Sequence, residues 1–288
     1  MKMIKQPSYE ELLKEGTALL TGAGVPDADI DAWLLLSHAV SFSRAAYYMR
    51  CREEAGCRET AVYREYLQRR ARRIPLQHIT GSTEFMGLTF CVSPAALIPR
   101  PDTETLAEAV LRFNAGCGRR QSLLDLGTGT GCLAVSLSRL GCFSAVTAVD
   151  ISGEALRLAR ENGRLHKTDI DWRQGDLFSA LEPEERYDIQ VSNPPYIPRS
   201  EIAGLMPEVR DHDPLTALDG GADGLDFYRR LAAEGPEHLT AGGRVFYEIG
   251  FDQAAAVVSV LSDAGFGELS VIRDISGNDR VVTGEYHV

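Results

Sequence analysis

Apolar residues recur at helical spacing through the first part of the chain. A first helix carries Tyr9 and Leu12 on one face, a second begins after Pro26, and a third covers residues 59–73. Residues three or four positions apart share one face of a helix, so each segment can bury one side against its neighbours. The pattern predicts a small helical bundle over residues 1–74.

The pattern changes at Pro75. Three short β-like pieces, separated by glycines, lie at residues 77–80, 84–85 and 88–92. Short strands interrupted by glycine are typical of a hairpin. We therefore predict a β-hairpin-like connector over residues 75–98, followed after several prolines by a helix at residues 103–114.

Strand-like and helix-like patterns alternate in the rest of the chain. Predicted strands lie at residues 122–126, 145–149, 188–192, 244–249, 269–273 and 280–285, with one more short strand before Gly175. Predicted helices lie at residues 132–140, 154–166 and 253–264. This alternation is typical of a mostly parallel sheet covered by helices on both faces. The last two strands are joined by a loop short enough for a hairpin, so the sheet should end in an antiparallel pair. We predict one α/β domain over residues 99–288.

A glycine-rich loop lies where the first strand of this sheet would end. It reads Gly127-Thr128-Gly129-Thr130-Gly131 and opens a helix. Open α/β sheets bind ligands at the carboxyl ends of their strands, and glycine lets the backbone approach a ligand closely. The G-x-G-x-G spacing differs from the G-x-G-x-x-G of dinucleotide-binding loops. A tight strand-to-helix turn without a ligand is the alternative interpretation.

Carboxylates lie near the ends of three strands. Asp150 ends the second strand, where it can accept hydrogen bonds from both hydroxyls of a ribose, as in NAD or S-adenosylmethionine. Asp176 and Leu177 follow the third strand, where the carboxylate could accept from an adenine amine and the leucine could cover the ring. Asp125 lies just before the glycine loop and either faces the same ligand or caps the turn.

The segment Asn193-Pro194-Pro195-Tyr196 follows the fourth strand of the sheet. An amide nitrogen is a poor nucleophile because its lone pair is delocalised into the carbonyl. The Asn193 side-chain oxygen and the Pro194 carbonyl can accept both N–H groups and aim the nitrogen at a methyl donor. The prolines fix φ, and Tyr196 offers an aromatic face to a planar group. Beside the glycine loop, this segment predicts an S-adenosylmethionine-dependent methyltransferase that acts on a planar nitrogen.

The composition restricts the partners and the compartment. The 288 residues include 30 basic and 41 acidic side chains, for a net charge of -11. Tight binding of free nucleic acid needs clustered Lys and Arg, so we expect no stable nucleic-acid complex. The six cysteines form no C-x-x-C pair, so we expect free thiols and no metal site. Residues 1–9 show no secretory signal, and no apolar stretch is long enough to span a bilayer, so we expect a cytoplasmic protein without membrane contact.

Three further segments resemble the peptide chain release factor glutamine methyltransferase family. They read RIPLQHITG at residues 73–81, LIPRPDTE at residues 97–104, and PEVR at residues 207–210, continuing through ALDGG to DGL at residue 225. The N-P-P-Y segment alone is shared more widely, since DNA amine methylases resemble it as well. The resemblance covers nearly the whole chain and is weakest in the amino-terminal helices.

The resemblance implies a seven-stranded Rossmann-like methyltransferase sheet behind a helical amino-terminal domain. It implies that S-adenosylmethionine is the methyl donor, with S-adenosylhomocysteine as product. It also implies that the partner and substrate is a class I release factor, methylated on the glutamine of its Gly-Gly-Gln motif. A nucleic-acid methyltransferase acting on an exocyclic amine such as that of adenine is the alternative enzyme, and a non-catalytic binding module is the alternative to any enzyme.

The site residues follow from the motifs and the resemblance together. The cofactor contacts are expected to be Gly127, Thr128, Gly129, Thr130, Gly131, Asp150, Asp176, Leu177 and Asn193. The substrate contacts are expected to be Asn193, Pro194, Pro195 and Tyr196, of which Asn193, Pro194 and Tyr196 are the catalytic residues. Some family members carry an aromatic residue at the position of Leu177, which implies weaker stacking on adenine here.

Other features allow two interpretations each. A basic run between Arg69 and Arg73 is either a solvated helix face or a docking patch for an acidic partner. Arg100 and Glu104 either shape the entrance of the site or form an ion pair four residues apart. Residues 198–224 are rich in Pro, Asp and Gly, and we predict that they border the substrate channel.

Overall fold

The structure is a computed structural model that describes residues 6–287. Residues 1–5, which belong to the predicted bundle and to the segment searched for a secretory signal, lie outside the described residues, as does Val288. The helices are α1 (Tyr9–Gly22), α2 (Ala28–Val40), α3 (Arg44–Arg50), α4 (Cys57–Ala71), α5 (Leu76–Thr80), α6 (Glu104–Gly116), α7 (Cys132–Leu140), α8 (Gly153–His166), α9 (Pro207–Arg210), α10 (Asp226–Glu234) and α11 (Ala254–Asp263). The strands are β1 (Ser82–Phe85), β2 (Leu88–Cys91), β3 (Gln121–Leu126), β4 (Phe143–Asp150), β5 (Asp171–Gln174), β6 (Tyr187–Ser192), β7 (Leu239–Glu248), β8 (Phe266–Arg273) and β9 (Asp279–Tyr286). No helix among the described residues is long and apolar enough to cross a membrane.

The described chain divides into two compact units. The first contains the residues up to Gly81 together with Pro207–His212. Its helices bury apolar side chains such as Tyr63 and Leu67 in one core, which the helical periodicity predicts. The second unit contains Ser82–Met206 and the described residues from Asp213 onward. The division into a bundle over residues 1–74, a connector over residues 75–98 and an α/β domain over residues 99–288 stays a prediction.

The β-like piece predicted at residues 77–80 is wrong, because this segment is the short helix α5. Ile79 is buried in the core of the first unit, and the Thr80 hydroxyl donates to the Leu76 carbonyl over 3.2 Å. Gly81 then ends the helix in the left-handed conformation, with φ of 77°. The other two pieces of the predicted hairpin are present as the antiparallel pair β1 and β2.

Within the basic run, Arg70 belongs neither to a solvated helix face nor to a docking patch. This side chain is buried, and its Nε donates to Asp31 over 2.6 Å while its Nη2 donates to Glu208 over 2.8 Å. Arg73 also donates to Glu208, with two bonds of 2.6 Å. Burial raises the pKa of Glu208, but the bonds from Arg73 and Arg70 outweigh it and hold that pKa at about 2. The first unit is therefore fastened internally by a carboxylate that lies far away in the sequence.

A seven-stranded sheet forms the centre of the second unit, in the order β5-β4-β3-β6-β7-β9-β8. The strands from β5 to β7 are parallel, whereas β9 pairs antiparallel with both β7 and β8. This confirms the predicted sheet and its antiparallel end. After β3, the chain forms β4 and β5 on one side of that strand and then β6 on its other side. The strand order therefore reverses at β3. Ligands bind at such switch points in open α/β sheets.

Helices cover both faces of the sheet. Leu123 packs in the cluster that contains residues of α6 and α7, while the next residue, Leu124, packs in the cluster that contains residues of α10 and α11. Successive residues of a strand point to opposite faces, so these clusters are two separate layers. The helix α10 does not appear in the sequence-based prediction.

Candidate active site

The glycine loop connects the end of β3 to the start of α7. Gly127, Gly129 and Gly131 have φ of 75°, 57° and 79°, a region that side-chain-bearing residues rarely occupy. The amides of Gly127 and Thr128 both donate to the Val149 carbonyl, over 2.9 and 3.0 Å, which anchors the loop to β4. The loop therefore has a fixed shape that depends on glycine at these three positions.

The three glycines differ in what surrounds them. A side chain added at Gly127 would meet no atom within 4 Å, and one at Gly129 would only graze Ala96. One added at Gly131 would come within 3.0 Å of both Ala159 and Trp172. The first two glycines thus leave open space above the loop, whereas the third permits close packing against α8 and β5.

Asp150, at the end of β4, faces this loop. Its Oδ2 accepts from the Gly129 amide over 2.7 Å, and its Oδ1 accepts from the Ser152 amide over 2.8 Å. Burial raises the pKa of the Asp150 carboxyl, and the two amide donors oppose that effect. Each carboxylate oxygen can accept more than one bond, so capacity remains for a pair of ligand hydroxyls.

Asp125 caps the loop. It is fully buried, and the Thr128 hydroxyl donates to its Oδ2 over 2.6 Å. Burial raises the pKa of Asp125 to about 7, although the bond from Thr128 lowers it. Asp125 does not line the adjoining cavity, which favours the turn-capping interpretation.

Asp176 and Leu177 lie at the turn after β5. Leu177 is buried with φ of 50°, an unfavourable conformation for a non-glycine residue. Such backbone strain is found preferentially at functional sites. The Asp176 carboxylate lies 3.0 Å from the Arg230 guanidinium, a partner that the sequence did not indicate.

The turn after β6 carries Asn193 to Tyr196. The Asn193 Nδ2 donates to the Thr103 hydroxyl over 3.2 Å, and the Gln253 side chain donates to the Tyr196 carbonyl over 3.0 Å. Burial raises the pKa of Tyr196 well above its ordinary value. Its ring packs against the apolar cluster of α10 and α11. Both ends of the turn are therefore held by side chains from other elements.

These pieces surround one cavity of about 430 Å³ in the second unit. Of the residues predicted from the sequence, it is lined by Gly127, Thr128, Gly129, Thr130, Asp150, Asp176, Leu177, Asn193, Pro194 and Pro195. Gly131 and Tyr196 do not line it. The volume lies in the range of small-molecule sites. Open space over Gly127, a ribose-type carboxylate and an apolar cover at Leu177 fit the nucleoside of S-adenosylmethionine.

Arg100 lines the same cavity, but Glu104 does not. The Arg100 guanidinium donates to Asp213 over 2.6 Å, and Glu104 accepts from the Met86 amide over 2.6 Å. The two residues therefore do not act as an ion pair with each other. Part of the predicted channel segment, Pro214 to Ala217, also lines the cavity.

Sequence reasoning missed a buried carboxyl behind the Asn193 turn. Glu248, the last residue of β7, is 1% exposed. Its burial raises its pKa to about 7, and the Thr103 hydroxyl, the Arg280 charge and the Tyr196 hydroxyl lower it. The signal in the sequence was a single glutamate in the otherwise apolar run from Val245 to Ile249.

The chain matches two protein families. The PrmC N-terminal domain family matches residues 11–81, and the methyltransferase small domain family matches residues 103–205. The solved 16S rRNA N2 G1207 methyltransferase of T. thermophilus, in complex with AdoMet and guanosine, is 20% identical with a TM-score of 0.54. That similarity covers 72% of this chain and 50% of the other, and it supports the fold alone.

Two full-length relatives are much more similar. The release factor glutamine methyltransferase of Geobacter sulfurreducens is 41% identical over 265 residues, which covers 92% of each chain. That of Deinococcus radiodurans is 41% identical over 272 residues, covering 94% of this chain and 96% of its own. This chain therefore belongs to the release factor glutamine methyltransferase family, whose members are S-adenosylmethionine-dependent enzymes.

Proposed function

We propose that this enzyme methylates the side-chain amide nitrogen of the glutamine in the Gly-Gly-Gln motif of class I release factors. One observation carries the proposal: Asn193, Pro194 and Pro195 line the same cavity as Gly127 and Asp150. Acceptors suited to an amide NH2 group thus lie beside a pocket suited to the methyl donor. The curated relatives carry the name of this activity.

The cofactor end of the cavity is formed by the glycine loop and two strand ends. We assign the ribose hydroxyls to Asp150 and the adenine to Leu177, with Asp176 at its edge. The open space over Gly127 admits the ligand close to the backbone. When bound there, S-adenosylmethionine supplies an electrophilic methyl group.

The substrate end of the cavity is formed by the turn after β6. The Oδ1 of Asn193 and the carbonyl of Pro194 accept the two N–H bonds of the glutamine amide. This holds the nitrogen in place, turns its lone-pair face toward the methyl group and draws electron density onto the nitrogen. One amide proton is released to solvent after the methyl group has been transferred.

Tyr196 and Gly131 receive different roles from those that the sequence suggested. Tyr196 supports the turn from behind, because its ring packs into the apolar cluster and its carbonyl is held by Gln253. Gly131 permits helix packing, because its surroundings are Ala159 and Trp172. Neither residue lines the cavity.

A methylation assay with two substrates tests the proposal. The enzyme is incubated with labelled S-adenosylmethionine and a class I release factor, either unaltered or with the glutamine of Gly-Gly-Gln replaced by alanine. We expect one added methyl group on the Gly-Gly-Gln peptide of the unaltered factor and none on the variant. Equal labelling of both factors would refute the assignment. Duplex DNA containing adenine serves as a third substrate, and its methylation would support the nucleic-acid alternative.

A variant of the turn tests the role of Asn193. We expect Asn193→Ala to lose most of its activity while its affinity for S-adenosylmethionine, measured by calorimetry, stays near normal. Asn278→Ala is the matched control, because Asn278 is exposed in the hairpin between β8 and β9. A loss of cofactor binding as the main defect of Asn193→Ala would contradict the assigned role.

A further inference from the structure

The two ends of the Asn193 side chain have opposite chemistry. To hold a substrate amide, its Oδ1 must face the cavity as an acceptor, and its Nδ2 must then face away. The Nδ2 donates to the Thr103 hydroxyl over 3.2 Å. Thr103 is 2% exposed and lies in the 3₁₀ turn Pro101–Thr103, just before α6. The orientation of the Asn193 amide thus depends on how this hydroxyl is used.

A threonine hydroxyl has one hydrogen to donate. Because Thr103 accepts from Asn193, its own hydrogen must go to a different acceptor. The Glu248 carboxyl is such an acceptor, since the Thr103 and Tyr196 hydroxyls both lower its pKa as hydrogen-bond donors. Its buried Oε2 has no hydrogen-bond partner among the described residues, so it has capacity to accept one. The Glu248 main-chain carbonyl is already occupied by the Tyr228 hydroxyl, over 2.7 Å.

We propose that Glu248 is a positioning residue that sets the orientation of the Asn193 amide through the Thr103 hydroxyl. As a carboxylate, Glu248 only accepts, so Thr103 must donate to it and must accept from the Asn193 Nδ2. The Asn193 Oδ1 is thereby kept toward the cavity. This inference deepens the proposed function and rests on it, because the substrate N–H is the group that Oδ1 receives.

Protonation of Glu248 would remove the requirement that the Thr103 hydroxyl donates to it. A neutral carboxyl can donate to Thr103, which then has its own hydrogen available for the Asn193 Oδ1. The amide could turn and present Nδ2, a donor, to a substrate that also brings N–H groups. Two donors cannot form a hydrogen bond with each other, so the turned state binds the substrate nitrogen poorly.

The charge on Glu248 depends on several neighbours. Burial favours its neutral form, and the pKa of about 7 puts the change of charge near neutral pH. The ionisable groups that face it are Arg280 on β9, Asp102 beside α6, Tyr196, Tyr228 on α10 and Cys132 on α7. Arg280 favours the carboxylate but is shared with Asp274 and Asp102, at 3.1 and 3.2 Å.

Nuclear magnetic resonance tests the inference without any turnover. Asn193 is one of only four asparagines, so labelling asparagine side-chain amides gives few signals, and Asn193→Ala identifies the relevant pair. In the full-length enzyme, we expect the Asn193 Nδ2 signals to shift in one step with a midpoint near pH 7. Glu248→Gln and Thr103→Val should both abolish this step. An unchanged step in Glu248→Gln would overturn the proposal.

Kinetics on the release factor provide the second measurement. We expect Thr103→Val and Glu248→Gln to lower kcat by roughly tenfold to a hundredfold, as loss of a supporting partner does at other sites, with the Kd for S-adenosylmethionine nearly unchanged. Thr103→Ser keeps the hydroxyl and should restore most of the loss seen in Thr103→Val. Equal kcat values for the serine and valine variants would overturn the proposal.

The two measurements distinguish a failure of the positioning role of Glu248 from a failure of the proposed function. A wild-type enzyme that does not methylate release factors would refute the function, while the Asn193 signals would still show whether Glu248 sets the amide. Because protonation of Glu248 lets the Asn193 amide turn, kcat of the wild type should fall as the pH drops below about 7, and this fall should disappear in Glu248→Gln. A purely structural role for Glu248 would lower activity equally at every pH, and that result would refute the positioning role.

Discussion

Replacement of Gly131 by alanine should destabilise the second unit without weakening cofactor binding. Gly131 has φ of 79°, where an L-residue costs about 1–2 kcal/mol. The new Cβ would lie 3.0 Å from the Cβ of Ala159 and from the Cη2 of Trp172. Overpacking of this kind costs about 1–3 kcal/mol more. We expect the free energy of unfolding to fall by about 2–5 kcal/mol.

Gly127→Ala is the matched control. Gly127 has a similar φ of 75°, but its added Cβ would meet nothing within 4 Å. Only the backbone cost of about 1–2 kcal/mol then applies. Because Gly127 lines the cavity, this variant should weaken binding of S-adenosylmethionine, whereas Gly131→Ala should not.

The chain offers a local probe for this comparison. It has two tryptophans, and one of them, Trp172, is the residue that the Gly131→Ala side chain would contact. In a Trp33→Phe background, urea unfolding followed by fluorescence reports on Trp172 alone, and calorimetry on the same samples gives the cofactor affinity. A packing role for Gly131 would be refuted if Gly127→Ala were the less stable variant, or if folded Gly131→Ala lost the cofactor while Gly127→Ala retained it.

Three more predictions follow from buried carboxylates. Asp150→Asn should raise the Kd for S-adenosylmethionine by roughly tenfold to a hundredfold, because bonds to a charged acceptor are worth about 1.5–3 kcal/mol; unchanged calorimetric affinity would refute its role. Glu208→Ala leaves the buried Arg70 short of one partner and should cost about 3 kcal/mol in urea unfolding, whereas Arg157→Ala, which breaks an exposed pair, should cost under about 0.5 kcal/mol. Because burial raises the pKa of Glu248 to about 7, the folded state keeps this proton after the unfolded state has lost it, and the free energy of unfolding of the wild type falls between about pH 4.5 and 7. Glu248→Gln has no such proton, so its free energy of unfolding should rise relative to that of the wild type by about 3 kcal/mol across that window. A difference between these two proteins that does not vary with pH would contradict this assignment.

The sheet and its helices could be predicted from the sequence, because apolar runs and the glycines and short loops that end them lie within a few consecutive residues. The helix α7 has the bounds predicted for it, Cys132–Leu140, since glycines stand at both ends of its apolar run. The antiparallel end of the sheet followed from one short loop between β8 and β9. In each case the deciding interactions lie within a few residues along the chain.

Predictions failed where distant residues decide the structure. The segment of α5 contains the β-branched Ile79 and Thr80 and ends at a glycine, as a short strand would, but Ile79 is buried among the bundle helices and the segment is helical. Arg70 stands in a basic run that looks solvated, but Glu208 approaches it from 138 residues away. Periodicity and local charge contain no information about such partners.

The site shows the same division between local and distant determinants. The glycine loop and the Asn193 turn each occupy a few consecutive residues, so both could be found in the sequence. Thr103 and Glu248 could not be found in this way, because they come from two segments that lie far from the Asn193 turn in the sequence. An amide nitrogen gains little from a base that removes its proton, so its methylation depends on orientation. Orientation requires a rigid acceptor, and the acceptor that we propose, Asn193, is held at its other end by the Thr103 hydroxyl. A weak nucleophile therefore needs buried residues that support its acceptor. In this chain we propose Glu248 for that role, and its only sign in the sequence is a single glutamate at the end of an apolar strand.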